Sequence, residues 1–127
     1  MDRIINWEKL NRIEDGCGGD IYKIIDTDNS ELKKVEIVMC IFNPGEIARL
    51  HYHNKMEEIY FVIEGDWEIE LNGYWYPIKA EESVAIPIGA KHRMKNISKD
   101  KRLKFLAVNA PEWLQSDMIE CDAVNLK

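Results

Sequence analysis

Turn signals cut this chain into short pieces, and that spacing limits what it can fold into. From Ile21 to Val108 every apolar run soon meets a glycine, a proline or a cluster of Asn, Asp and Ser. Few uninterrupted windows are long enough for a helix. The runs between the breaks are rich in β-branched and aromatic residues. Strands are expected at Ile21–Asp26, Val35–Phe42, Ala48–His53, Glu58–Ile63, Trp67–Leu71, Tyr74–Ile78, Ser83–Ile86, Lys91–Asn96 and Arg102–Val108. Trp67-Glu68-Ile69-Glu70-Leu71 alternates apolar with acidic residues, so one face is buried and the other wet. Asn72-Gly73 follows at once, a pair suited to the type I′ hairpin turn because both positions tolerate positive φ. Many short strands with regular turn signals predict an all-β sandwich or barrel.

The length of 127 residues suits one domain, 1–127. Residues 1–20 read as an N-terminal extension, with an amphipathic start and then the glycine-rich loop 14–20. Residues 111–127 read as a C-terminal tail, with a helical turn around Trp113–Met118. The net charge of −6 argues against a nucleic-acid partner, which needs a basic face. No apolar run approaches the roughly 20 residues that span a bilayer. The first residues lack the apolar stretch of a signal peptide, so the cytoplasm is the expected location and no membrane partner is expected. Three widely spaced cysteines form no metal-binding pair. Cys40 reads as a small buried hydrophobe and Cys17, between glycines, as an exposed free thiol.

The chain has three histidines, His51, His53 and His92. On a strand, residues i and i+2 share a face, so His51 and His53 project side by side about 7 Å apart. If residues 54–57 close a four-residue hairpin, Glu58 lies opposite His53 on the returning strand and faces the same way. Glu57 is the alternative carboxylate; the spacing to Gly65 favours Glu58. His92, after the Pro87-Ile88-Gly89 turn, is the one histidine left to complete a ligand set. Imidazole and carboxylate suit one divalent first-row metal: Fe, Mn, Ni, Zn, Co or Cu.

Two spacings carry a family resemblance. Gly45-x5-His51-x-His53-x4-Glu58-x6-Gly65 resembles the first motif of the cupin superfamily, and Pro87-x-Gly89-x2-His92-x3-Asn96 its second. They stand a short distance apart, as in small single-domain metal-binding cupins of the conserved-barrel type. The second motif usually opens with a glycine six residues before its proline, where this chain has Glu81. The resemblance implies a double-stranded β-helix, or jelly-roll, barrel over about 35–111. It implies a metal held by His51, His53, Glu58 and His92.

The same parity argument turns four more side chains inward as pocket candidates: Arg49, Tyr60, Trp67 and Met94. Arg49 suits a substrate carboxylate or phosphate, or else pairs with an acid at the rim. Tyr60 reads as a hydrogen-bond donor in the pocket or as a core tyrosine. Trp67 reads as packing and Met94 as apolar wall. The similarity to cupins implies a metal-dependent enzyme on a small molecule, with dioxygenase or isomerase/lyase-type chemistry. A non-catalytic binding or sensing module and a structural partner are the alternatives. Val35–Phe42 and Glu58–Ile63 are apolar on both faces, which implies a cover, from the N-terminal segment or from the second subunit of a homodimer.

Overall fold

The computed structural model describes residues 4–13 and 18–121. The expectation for Cys17, and most of the glycine-rich loop around it, falls outside the described residues, as does the end of the tail.

Ten short strands occur where the turn signals divide the chain: β1 (Asp20–Ile25), β2 (Glu36–Phe42), β3 (His51–His53), β4 (Glu57–Val62), β5 (Asp66–Leu71), β6 (Tyr74–Lys79), β7 (Ser83–Ile86), β8 (His92–Asn96), β9 (Leu103–Ala110) and β10 (Met118–Glu120). The only helical pieces among the described residues are two 3-10 turns, Trp7–Lys9 and Gln115–Asp117. The strands form two five-stranded sheets with the orders β1-β2-β9-β4-β7 and β10-β3-β8-β5-β6. Every named pair is antiparallel. This is the jelly-roll architecture the motifs imply.

The core lies between the sheets. Strand alternation turns Val38, Cys40 and Phe42 of β2 and Leu103, Phe105 and Ala107 of β9 inward. Tyr60 and Val62 of β4, Trp67 and Ile69 of β5 and Met94 of β8 join them. Trp67 is fully buried, its ring edge-on to Phe42 (5.3 Å between centroids) and Phe105 (5.1 Å). Its indole N–H donates to the Glu64 carbonyl at 2.9 Å, so the large ring leaves no polar atom stranded. Asn96 ties the sheets together: its amide donates to Phe42 O and Lys101 O, and its oxygen accepts from Ser98 N.

Two expectations need correction. The strand expected at Ala48–His53 is interrupted: Ile47 bridges Lys95 and Ala48 N–H donates to Met94 O, but regular pairing with β8 resumes only at His51 opposite His92, one residue out of step, so an extra residue bulges from the segment. The tail also does more than turn. After the 3-10 turn, β10 pairs with β3, setting Met118 opposite His53 and Glu120 opposite His51. Three residues are too few to show a period in sequence.

Asn72 and Gly73 both have positive φ, 49° and 92°, as a type I′ turn demands. Glu81 also sits in the left-handed region, at φ 71°. It occupies the position where the second motif usually has glycine, and glycine reaches this conformation without a Cβ penalty. Glu81→Gly is therefore expected to stabilise the protein by about 0.5–1 kcal/mol. A lower urea midpoint at unchanged m-value would contradict this.

Candidate metal centre

His51, His53, Glu58 and His92 meet at the centre of the barrel, with a ligand atom from each lying within 4.8 Å of the others. All four are buried. His51 and His53 come from β3, and His92 is the register partner of His51 on neighbouring β8. Glu58 arrives by a different route from the hairpin expected. β3 and β4 lie in different sheets, so the carboxylate reaches across the core rather than along a ladder. The segment 54–56 is the corner between sheets, and a connection of hairpin length looks the same in sequence. Burial alternates along β4, turning Glu58 inward with Tyr60 and Val62 and leaving Glu57 exposed.

Backbone carbonyls fix two of the rings. His51 Nδ1 donates to Arg49 O at 2.8 Å, and His92 Nδ1 donates to Ala90 O at 2.8 Å. A carbonyl only accepts, so in the neutral ring Nε2 carries the lone pair. His92 Nε2 nonetheless stands 2.9 Å from Glu58 Oε1, and His53 Nε2 3.4 Å from the same oxygen. Two acceptors face each other at bonding distance only with a proton or a cation to share. Burial, and then the neighbouring His92, pull the His51 pKa down to about 4, so that ring is neutral at pH 7. For Glu58 burial acts upward, but the His53 and His92 imidazoles beside its oxygen outweigh it and hold the carboxyl at about 2. Neutral imidazole beside an ionised carboxylate is a donor set able to hold a metal ion. The Glu58 Oε1 distances to His92 and His53, 2.9 and 3.4 Å, fit such an ion, since two ligands about 2.0–2.2 Å from it lie about 3–3.5 Å apart.

The sequence profile of the Cupin domain family matches residues 38–109, which contain all four residues. This chain is a cupin. Among curated proteins it is similar to the polyketide synthase CurC of Streptomyces cyaneus, 31% identical over 84 residues, which are 66% of this chain and 54% of that protein. It is also similar to Protein SchB of Streptomyces halstedii, 27% identical over 79 residues, 62% of this chain and 57% of that one. The cupin thus spans little more than half the length of either relative. Among solved structures, the polyketide cyclase RemF from Streptomyces resistomycificus superposes with a TM-score of 0.79 at 17% identity, covering 99% of this chain and 91% of that one. KdgF from Halomonas sp. superposes at 0.74 with 15% identity, covering 89% and 96%. At these identities the superpositions speak for the shared fold.

A cavity of about 60 Å³ opens beside the cluster, lined by His51, His53, Glu58 and Tyr60 and by an apolar wall that includes Val38, Phe42, Phe105 and Trp113. Of the four pocket candidates, Tyr60 lines it, packed against Phe105 (4.8 Å) and His92 (5.8 Å). The other three lie elsewhere. Arg49 is exposed and its Nε donates to Glu120 on β10 at 2.7 Å, the rim pairing. Its inward placement assumed a strand through Ala48–His53, but Leu50 and His51 are both buried, which breaks the parity. Trp67 and Met94 face inward as expected, but they pack in the core away from the cavity wall.

Five buried polar residues escaped the sequence reading: Asp26, Glu36, Glu70, Asn109 and Asp117, with Glu70 on the face of β5 expected to be wet, where it pairs with Arg93 at 2.7 Å. Glu36 and Asn109 fall at inward positions of apolar strands, and that parity was the available signal. Glu36 also lies near Asp26 and Glu112. Those two are engaged elsewhere, Asp26 with the Asp28 and Asn29 N–H groups and Glu112 with the Thr27 hydroxyl. Asp117 gave no signal. Its carboxylate accepts the N–H groups of Asn54, Lys55 and Met56 at 3.0, 3.0 and 3.1 Å, and it stands 3.8 Å from His53 Nδ1. It thereby fixes the corner that carries the chain from His53 to Glu58. Removing it strands the buried Met56 N–H, so Asp117→Ala is expected to cost about 1–3 kcal/mol in chemical denaturation. A loss under about 0.5 kcal/mol would show that water replaces the carboxylate.

Proposed function

We propose that this cupin is a metal-dependent enzyme for a small, largely apolar molecule, working as one domain with one divalent first-row metal held by His51, His53, Glu58 and His92. One observation carries the reading: His92 Nε2 and Glu58 Oε1 face each other at 2.9 Å in a site where His92 has no exposed surface. A cation between them satisfies both acceptors. When bound, the metal supplies a Lewis acid for a carbonyl or enol oxygen. The protein's own residues do the rest. The carbonyls of Arg49 and Ala90 hold two imidazoles in one tautomer. The wall of Val38, Phe42 and Phe105 excludes water and receives a carbon skeleton.

The names of CurC and RemF attach to polyketide synthesis and cyclisation. An apolar-walled cavity suits ring-forming or isomerase/lyase-type chemistry on such a skeleton, and this favours chemistry without dioxygen over a dioxygenase. Protein purified without chelator or nickel resin is expected to carry about one first-row metal per chain. His51→Ala combined with His53→Ala is expected to remove it. Full metal occupancy in that variant, read by elemental analysis, would sink the assignment. Turnover that stops under strict anaerobiosis would move the reading to dioxygen chemistry.

The reading extends to a cytoplasmic homodimer. No disulfide joins Cys40 to Cys121, which suits a reducing compartment. On the outer face of the first sheet, the rows Ile37–Val108–Ile59 and Met39–Leu106–Phe61 cross β2, β9 and β4. Ile59 and Phe61 remain 50% and 40% exposed, an apolar surface for a second copy. Light scattering is expected to give a dimer for the parent and a monomer for Ile59→Asp with Phe61→Asp. A monomeric parent at micromolar concentration would overturn the dimer.

A further inference from the structure

The cavity has a second polar end. Glu36, Asn109 and Glu58 are register partners in one line across β2, β9 and β4. All three point into the core, at 1%, 3% and 6% exposure. With strands about 4.8 Å apart, the backbone positions of Glu36 and Glu58 are about 10 Å from each other. One pole of this line belongs to the histidine cluster. The other is Glu36 with Asn109, and both line the same cavity.

Four buried side-chain atoms among the described residues lack a hydrogen-bond partner: Glu36 Oε1, Asn109 Oδ1 and the two ring nitrogens of His53. All four belong to residues that line this cavity. An unpaired buried acceptor costs about 1–3 kcal/mol, and of these atoms the His53 nitrogens belong to the cluster, Nε2 near Glu58 and Nδ1 near Asp117, which leaves Glu36 Oε1 and Asn109 Oδ1 at the other end. Their orientation is fixed from behind. Glu36 Oε2 accepts from Asn109 Nδ2 at 2.6 Å and from the Trp113 N–H at 3.0 Å, which leaves Asn109 Oδ1 and Glu36 Oε1 without a hydrogen bond, the latter with the Lys23 ammonium 3.7 Å away at the mouth.

We propose that Glu36 and Asn109 form a hydroxyl-recognition site that orients a neutral, hydroxylated and otherwise apolar substrate against the histidine cluster. The class follows from what the site rejects. Glu36 repels an anion, and the apolar walls together with Lys23 Nζ, 3.7 Å from Glu36 Oε1, disfavour a cation. A hydroxyl donates to one acceptor and itself accepts, so it suits Glu36 whether or not the carboxyl keeps its proton. Burial pushes that carboxyl upward, against the hydrogen bonds from Asn109 and Trp113. The cavity of about 60 Å³ has room for the hydroxyl-bearing edge of a molecule. Ile13, Ile21, Lys23 and Trp113 are the partly exposed lining residues and form the mouth that takes the remainder. The site deepens the enzyme reading and rests on it only for the reactive end.

Phenol and anisole, which differ in the hydroxyl donor, test the site. Each is titrated into the full chain, both as purified and after chelator treatment, and followed by amide nuclear magnetic resonance. Phenol is expected to bind about ten-fold tighter than anisole and to shift the Trp113 N–H and Asn109 side-chain signals. The preference is expected with and without metal, since neither acceptor belongs to the cluster. It is expected to vanish in Glu36→Met and in Asn109→Leu, whichever of the two folds with native spectra. Equal binding of the two ligands, no binding of either, or a preference that survives Glu36→Met would leave water as the partner of these acceptors and overturn the proposal. A preference retained in protein that never carries metal would sink the metal reading and leave this one standing.

Discussion

Three imidazoles and a carboxylate occupy the space where two sheets face each other, and the rest of the molecule is arranged around holding them there. Groups like these prefer water, and each one buried must be paired or discharged. The fold does both. His51 is kept neutral by burial, with its pKa near 4, and Glu58, against the upward push of burial, is kept ionised, near 2, by the His53 and His92 rings beside it. Backbone carbonyls two residues upstream take the Nδ1 protons of His51 and His92, so each strand orients its own ring. The set is prepared for a cation by local geometry that a strand of only three residues can supply.

The cluster also depends on elements distant in sequence. β3 is short and lies between β10 and β8. Without β10, one side of the His51–His53 strand has no ladder. Asp117, at the entry to β10, clamps the corner that turns the chain from the second sheet to the first. The C-terminal segment is thus a structural part of the site, although it lies beyond the matched family region of residues 38–109. Across the core, a line of inward polar residues runs from Glu58 through Asn109 to Glu36, set in strands that are otherwise apolar on that face. One cavity with an acceptor-rich end and a histidine-rich end holds both poles of the proposed chemistry.

The sequence by itself determined the class of fold and the identity of the cluster. Gly, Pro and Asn-Gly breaks fix where strands stop, because they act on the local backbone, and the strands appear within a residue or two of the expected bounds at most positions. His51 and His53 share a face because strand geometry has period two. Only the tertiary structure decided how the cluster is assembled. Glu58 crosses from the opposite sheet because a connection as short as 54–56 serves equally as a hairpin or as a corner between sheets. Arg49 left the interior because the pairing with β8 slips by one residue between Ile47 and His51, which breaks the period of two. Asp117, Glu36 and Asn109 became visible only when strands far apart in the chain were laid side by side, since what makes each of them matter is a partner about 60 to 75 residues away.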